Sequence, residues 1–128
     1  MKPDYEFRCY VHNRTVTAIS QYHCYCRFEA LQDLEHVEKI RSAICTFHEE
    51  TKNSFSVPSY VIDIAVDPED YSCQVIELNP FGKTMSSGSG LFHWERDGDL
   101  LYDNLNREVP AIRILEHLKE SKKSGSAC

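Results

Sequence analysis

The chain has 128 residues, 41% of them hydrophobic and 27% charged, with a formal net charge of −6 at pH 7. This size and composition predict one small domain with a modest core and argue against wholesale disorder. The negative charge argues against a nucleic-acid binder that neutralises phosphates with a broad basic surface. A nucleotide remains compatible with it, because a bound metal ion can bring the positive charge.

Targeting and redox features point to the cytoplasm. The sequence has no apolar stretch of the length that spans a bilayer, and its first residues lack the apolar segment of a signal peptide. Six cysteines occur without a recognisable disulfide spacing, at positions 9, 24, 26, 45, 73 and 128. We therefore expect reduced thiols in a cytoplasmic protein.

The first predicted element is a hairpin over residues 5–22. Apolar and polar residues alternate before a polar break around residues 13–14, and β-branched residues follow it. In the expected register Glu6, Arg8 and Gln21 share one face of the hairpin.

A helix is predicted over residues 30–51. Apolar residues recur there every three or four positions, which is the period of an amphipathic helix. The expected core-facing residues are Leu31, Leu34, Val37, Ile40, Ile44 and Phe47.

Two strands, at residues 60–66 and 73–79, follow as an antiparallel pair. We expect a mobile loop in the Gly/Ser-rich segment 82–90 and a short strand or packed anchor at 91–94. A second amphipathic helix is predicted over 108–120.

Two acidic residues on the strand pair carry the chemical prediction. The natural register places Asp63 opposite Glu77 and Val61 opposite Asn79. Like charges directly opposite each other destabilise a sheet, and a hard cation such as magnesium, bridging to phosphates, relieves the repulsion. The alternative is a solvated face on which basic neighbours balance the two acids.

Three other patterns have weaker claims to function. His23 and Cys26 belong to a His-Cys-Tyr-Cys segment that is too tight for the usual zinc turn, so ordinary strand-end residues are preferred. The segment 86–90 lacks the lysine of a P-loop and is interpreted as a lid. The histidines at 12, 36, 48 and 117 are predicted to lie on the surface.

Five segments together resemble the cell division cycle protein 123 family, whose members look like ATP-grasp proteins. An acidic residue and an asparagine two positions apart, at a strand end before a proline, is typical of the ATP-grasp metal site. The matching segments are Glu6–Val11, Ala18–Gln21, Val61–Ile64, Ile76–Gly82 and Leu91–Glu95.

The resemblance implies site residues. Asp63, Glu77 and Asn79 match the family's magnesium ligands, and Arg8 matches a residue that contacts the nucleotide phosphates. Glu77 stands where the family often has aspartate, which keeps the chemistry and lengthens the reach. Gln21 is interpreted as a hairpin pair, with an orienting role beside Arg8 as the alternative.

The expected fold is α+β, a mainly antiparallel sheet with flanking helices that resembles the C-terminal ATP-grasp subdomain. Residues 1–120 are assigned to this partial domain and residues 121–128 to a disordered tail. The resemblance covers the C-terminal half only, so we expect weak or no ATP binding by the chain alone.

The implied function is an ATP- and magnesium-binding assembly chaperone for translation initiation factor 2. It would act on the gamma subunit and so promote translation initiation and cell-cycle progression. An ATP-grasp ligase or kinase is the first alternative, and a truncated protein-interaction fragment that does not bind ATP is the second. The sequence offers no acceptor pocket or catalytic base, which favours the chaperone over an enzyme.

Overall fold

The computed structural model describes residues 5–23, 25–82, 90–103 and 108–115. A five-stranded sheet in the order β4-β3-β1-β2-β5 lies against an 18-residue helix, α1. The strands are β1 Glu6–His12, β2 Thr15–Gln21, β3 Tyr60–Val66, β4 Cys73–Asn79 and β5 Ala111–Arg113, and the helices are α1 Leu34–Thr51 and α2 Gly98–Leu101. The predicted α+β class and mainly antiparallel sheet are confirmed.

The predicted β1–β2 hairpin forms, but its register differs from the expected one. Asn13 and Arg14 take φ values of 52° and 63°, which suits the tight turn between twisted strands. A bulge then leaves Thr17 without a partner on β1. This extra residue places Ser20, rather than Ile19, opposite Arg8, and moves Gln21 opposite Phe7. The expectation that Gln21 shares a face with Arg8 is therefore wrong.

The predicted β3–β4 pair is confirmed, and so is its register at the two acidic residues. Asp63 lies opposite Glu77 and Val61 opposite Asn79. A bulge next to Asp63 then places Val75 opposite Ile64. Strict alternation along β4 would place Val75 on the face of Glu77, and the bulge moves it to the face of Ile64.

Alternate residues of β1 and β3 divide the sheet into two packed faces. One face holds the larger core, where strand residues such as Phe7 and Ile62 meet Ile40 and Ile44 of α1. The opposite face is smaller and is covered by the segment 90–103. Its buried residues are Tyr10, Ala18, Val61, Phe92 and Leu101. The predicted packing of Phe92 and Trp94 against the sheet is confirmed by their edge-on contacts with Tyr10.

Helix α1 begins later than predicted. A 3-10 turn at Glu29–Gln32 precedes it, and extended backbone at Asp33 separates the two. The Asp33 carboxylate accepts a hydrogen bond from the Glu35 backbone N–H and so caps the helix. Because of this break Leu34 is 77% exposed, although it was expected in the core, whereas Leu31 reaches the core from the 3-10 turn.

The second predicted helix is wrong in the part that the structure describes. Residues 111–113 form β5, which pairs in parallel with β2. Pro110 disfavours helical backbone at Val109, and the free edge of β2 satisfies the backbone groups of the segment. Residues 116–120, the loop residues 83–89 and the tail 121–128 lie outside the described residues.

Four cysteines within the described residues are free thiols, as expected: Cys9, Cys26, Cys45 and Cys73. Cys9 is fully buried in the core. None of the helices in the described ranges has the length and apolar character needed to cross a membrane.

His48 is a further correction, because it is buried rather than on the surface. Its Nε2 atom lies 2.6 Å from the Tyr60 hydroxyl, and its ring stacks against Phe55. Burial, followed by the charge of Lys52, lowers the pKa of His48 below its ordinary value of 6.5. The imidazole is therefore held in its neutral form inside the fold.

We expect His48 to make stability depend on pH. Its contribution is complete above the unfolded-state pKa, near 6.5, and is lost as the pH falls toward the lower pKa of the folded state, because the unfolded chain then binds the proton more readily. A difference of one between the two pKa values corresponds to about 1.4 kcal/mol. Urea unfolding from pH 7.5 to 5 measures this, and His48→Gln should flatten the curve. Identical pH curves for the two proteins would contradict the assignment.

Candidate metal and phosphate site

One row of cross-strand neighbours on the smaller-core face consists entirely of polar residues. From β4 to β5 the row runs Glu77, Asp63, Arg8, Ser20 and Arg113, each opposite the next. Directly paired residues project from the same face of a sheet, so these five side chains form one band across it. The register thus brings three of the four predicted site residues together.

The centre of the band is an ion pair between Arg8 and Asp63. The Arg8 Nε atom donates to Asp63 Oδ1 at 2.9 Å, and the Nη2 atom donates to Oδ2 at 3.0 Å. The two side chains are only 12% and 3% exposed. The hydrogen bonds to Asp63 raise the pKa of Arg8 despite the opposing effect of burial. A fork of two parallel bonds fixes both groups in the plane of the carboxylate.

Glu77 is the second carboxylate of the band. It is exposed, and within the described part of the chain it forms no ion pair of its own. Asp63 lies directly opposite it and already has Arg8 as a partner. Glu77 therefore places an uncompensated negative charge beside a neutralised one, at the solvent edge of the sheet.

Asn79 lies two residues beyond Glu77, at the end of β4 and opposite Val61. The side chains of Asp63, Glu77 and Asn79 thus offer two carboxylates and one amide oxygen, a donor set of hard oxygen ligands. Magnesium is commonly bound by one or two carboxylates together with substrate phosphates. No cluster of three His, Cys, Asp or Glu side chains suited to a metal exists among the described residues. Carboxylate and amide oxygens are ligand types that magnesium accepts when phosphates complete its coordination.

Gln21, for which an orienting role beside Arg8 was the alternative, makes its contacts elsewhere. It is fully buried, and its amide nitrogen donates to the carbonyl oxygens of His23 and Cys26. Its amide oxygen accepts a hydrogen bond from the Leu115 backbone N–H at 3.0 Å. Gln21 therefore ties the chain after β2 to the chain after β5, on the face away from Arg8.

The zinc alternative gains no support from the described residues. The His23 Nε2 atom lies 3.3 Å from Glu6 Oε1, an ion-pair distance rather than a metal geometry. Cys26 is exposed and free. Cys24 lies outside the described residues.

The sequence missed the role of Ser20, which joins the band to the segment above it. Its Oγ atom accepts a hydrogen bond from the Leu91 backbone N–H at 2.9 Å. Gly90 approaches so closely that a Cβ atom there would lie 2.6 Å from Ser20 Oγ, and its φ is +60°. Only glycine suits this position. The glycine-rich segment was the available signal, but its contact with Ser20 depends on tertiary structure.

Arg113 and Asp97 form a second, half-buried ion pair that the sequence did not predict. Nη1 and Nη2 of Arg113 donate to the two Asp97 carboxylate oxygens at 2.9 and 3.0 Å, and Nη1 also donates to the Leu91 carbonyl. The guanidinium lies 4.3 Å from the centroid of the Phe92 ring. Arg113 therefore anchors the segment 90–103 to β5. No local pattern in the sequence marks this pair.

The Tyr10 hydroxyl is buried next to the band, and no described residue forms a hydrogen bond with it. Burial raises the pKa of this phenol well above its usual value. Tyr10 lies opposite Val61, in the row adjacent to the ion pair. Its ring makes edge-on contacts with Phe92 and Trp94, so it supports the floor of the site through packing.

Comparison with known proteins confirms the family resemblance. The family model described as D123 matches residues 1–127. A putative CDC123-like protein of Acanthamoeba polyphaga mimivirus is 34% identical over 105 residues, which are 77% of this chain and 31% of that protein. The translation initiation factor eIF2 assembly protein of Aspergillus niger is 32% identical over 100 residues, 72% of this chain and 24% of that protein.

Two further relatives show how much of a related protein this chain matches and which fold it shares. The cell division cycle protein 123 of Phaeosphaeria nodorum is 28% identical over 122 residues, 89% of this chain and 29% of that protein. The solved structure of Cdc123 from Schizosaccharomyces pombe superposes with a TM-score of 0.75 at 24% identity, and covers 91% of this chain and 43% of that one. The chain thus spans less than a third of the length of these curated relatives. The structural match establishes the shared fold.

The like charges at Asp63 and Glu77 generate a stability prediction. In the absence of metal, Glu77→Gln should raise the free energy of unfolding by about 0.2–1 kcal/mol, because it removes a like-charge cross-strand pair. Urea unfolding in a chelator measures the change. Glu69→Gln is the matched control, since Glu69 is exposed in the β3–β4 loop. A destabilised Glu77→Gln protein would mean that the carboxylate already has a stabilising partner.

Proposed function

The chain belongs to the D123 family, and from this premise we propose that it forms the metal-binding half of a magnesium–ATP site in an assembly factor for translation initiation factor 2. The observation that carries the proposal is the opposed pair of Asp63 and Glu77, with Arg8 beside it. Relatives named as eIF2 assembly proteins support the biological role. A role in translation initiation implies the cytoplasm as its compartment.

Different residues of the site would bind the metal ion and the phosphates of magnesium–ATP. Asp63, Glu77 and the amide oxygen of Asn79 would hold magnesium, which on binding neutralises the phosphate charge. Arg8 offers a planar fork of donors that matches phosphate oxygens as well as it matches a carboxylate. Next to Arg8, Ser20 accepts a hydrogen bond from Leu91 and so fixes the segment 90–103 beside the band.

An assembly role suits this band better than catalysis does. Buried carboxylates on this face are already engaged, Asp63 by Arg8 and Asp97 by Arg113. Both oxygens of each carboxylate are occupied by an arginine, which removes the free access to a proton that a general base needs. Binding and release of ATP would then switch the affinity for a protein partner, for which we propose the gamma subunit of the initiation factor.

Calorimetric titration with magnesium–ATP tests the site. Because the chain supplies only half of the site, the parent should bind weakly but saturably, and Asp63→Asn and Glu77→Gln should each weaken this binding tenfold or more, because a contact to a charged group contributes about 1.5–3 kcal/mol. Glu69→Gln again serves as the matched control and should bind like the parent. Equal binding by all four proteins, with the fold intact by circular dichroism, would contradict the assignment. A folded parent that binds no magnesium–ATP would argue against a site in this chain alone.

Capture of the purified initiation-factor subunits tests the partner. The immobilised chain, with magnesium–ATP present, should retain the gamma subunit in preference to the alpha and beta subunits. Glu77→Gln should retain less of it if nucleotide binding controls the interaction. Equal retention of all three subunits would argue against the proposed partner, whereas equal retention of gamma by parent and variant would separate partner binding from the nucleotide site.

A further inference from the structure

Tyr22 lies beside the polar band, and neither the predicted site nor the proposed function includes it. Its side chain is 36% exposed, and the guanidinium carbon of Arg8 lies over its ring, 5.1 Å from the ring centroid. We propose that Tyr22 is a positioning residue, which holds the guanidinium of Arg8 in the orientation that contacts the nucleotide phosphates. This inference rests on the proposed function and adds to it a residue that acts through Arg8.

The β1–β2 register places Tyr22 on the face of the band. Arg8 lies opposite Ser20, and Tyr22 is two positions further along the chain, so its side chain projects from the same face as that of Ser20. The Tyr22 backbone N–H donates to the Glu6 carbonyl at 3.0 Å, which extends the hairpin by one bond beyond the end of β2. Tyr22 is therefore a diagonal cross-strand neighbour of Arg8, at a separation that an aromatic side chain can span.

The chain on either side of Tyr22 is fixed by hydrogen bonds and ring contacts. The Gln21 side chain is fully buried, and its amide nitrogen donates to the carbonyl oxygens of His23 and Cys26. The Cys26 backbone N–H donates to the His23 carbonyl at 3.2 Å, which closes a tight turn. The His23 ring makes an edge-on contact with the Tyr22 ring, and their centroids are 5.1 Å apart. Both the backbone and the ring of Tyr22 are thus held beside Arg8.

The ring adds a constraint that the hydrogen bonds from Arg8 to Asp63 do not supply. These two parallel bonds set the guanidinium and the carboxylate in one plane, but the pair can tilt together when the carboxylate rotates. The Tyr22 ring, which lies against the guanidinium, limits that tilt.

The aromatic character of Tyr22 is what suits it to this role. The face of an aromatic ring attracts a cation, whereas an aliphatic side chain of similar size offers contact without that attraction. The N–H donors of a guanidinium lie in its plane, so a fixed plane fixes the directions in which Arg8 can donate to phosphate oxygens. Replacement of the ring by leucine should therefore loosen Arg8, and replacement by phenylalanine should not.

The test compares the parent with Tyr22→Leu, Tyr22→Phe and Tyr25→Leu, first without any ligand. Tyr25 belongs to the same loop and is 69% exposed, so its variant is the matched control. The Nε–H signal of Arg8 is followed in proton–nitrogen NMR spectra and is assigned by its loss in Arg8→Lys. In Tyr22→Leu this signal should move downfield, because the shielding by the ring is lost. In Tyr22→Phe and Tyr25→Leu it should stay in place.

Calorimetric titration with magnesium–ATP gives the second readout. Tyr22→Leu should bind about two- to fivefold more weakly than the parent, which is the range that a partly exposed contact between a cation and a ring contributes. Tyr22→Phe keeps the aromatic face and should bind like the parent, as should Tyr25→Leu. A tyrosine that only stabilised the fold would change the melting temperature without this pattern, in which phenylalanine restores binding.

An Arg8 Nε–H signal that is the same in Tyr22→Leu and in the parent would overturn the inference and leave the proposed function standing if magnesium–ATP binds. Equal affinity of these two proteins for magnesium–ATP would do the same. If the signal moves as expected but no protein binds magnesium–ATP, the proposed function fails, and the ligand role of Tyr22 fails with it. Should Tyr22→Leu not fold, Tyr22→Trp takes its place. Its larger ring attracts a cation more strongly, so the signal should move upfield and binding should tighten, and no change in either would overturn the inference.

Discussion

The buried ion pair between Arg8 and Asp63 is the interaction on which the site depends. It joins the two central strands β1 and β3, and both side chains are almost removed from water. Burying two charges costs several kcal/mol per ion, and apolar residues of similar volume often stabilise a fold equally well. A charged pair at this position is therefore weak evidence for a stabilising role, and it is compatible with the ligand role proposed for Arg8 and Asp63. The acidic Glu77 beside it, which adds repulsion, points the same way.

The elements packed on the two faces of the sheet determine how much of this pair water can reach. Helix α1 covers one face of the sheet with the larger core, which leaves the opposite face for the polar band. The segment 90–103 covers part of that face, and its contacts with the sheet include the Arg113–Asp97 pair, the Ser20 hydroxyl and the close approach of Gly90. Packing and polar anchoring thus divide the sheet into a face buried under α1 and a face that carries the polar band.

Local patterns predicted the register of the strands that carry the two acids more reliably than they predicted the helices. Side chains along a strand alternate between its two faces, and the position of the loop sets the pairing register. A β3–β4 loop centred on residue 70 therefore places Asp63 opposite Glu77. Gln21 was misplaced because a single bulge residue, Thr17, moved its strand by one position. The helix predicted at 108–120 failed because apolar spacing over a short segment fits a buried strand as well as a helix, and the free edge of β2 was available to it.

The sequence by itself determined the α+β class, the hairpin, the strand pair, the opposed carboxylates and the family, because these follow from neighbouring residues and from their order along the chain. Tertiary structure alone decided that Arg8 pairs with Asp63, that Arg113 pairs with Asp97 and that His48 is buried. Arg8 and Asp63 are 55 positions apart. Which distant strands become neighbours depends on how the whole sheet buries its apolar surface, and no local pattern records that choice.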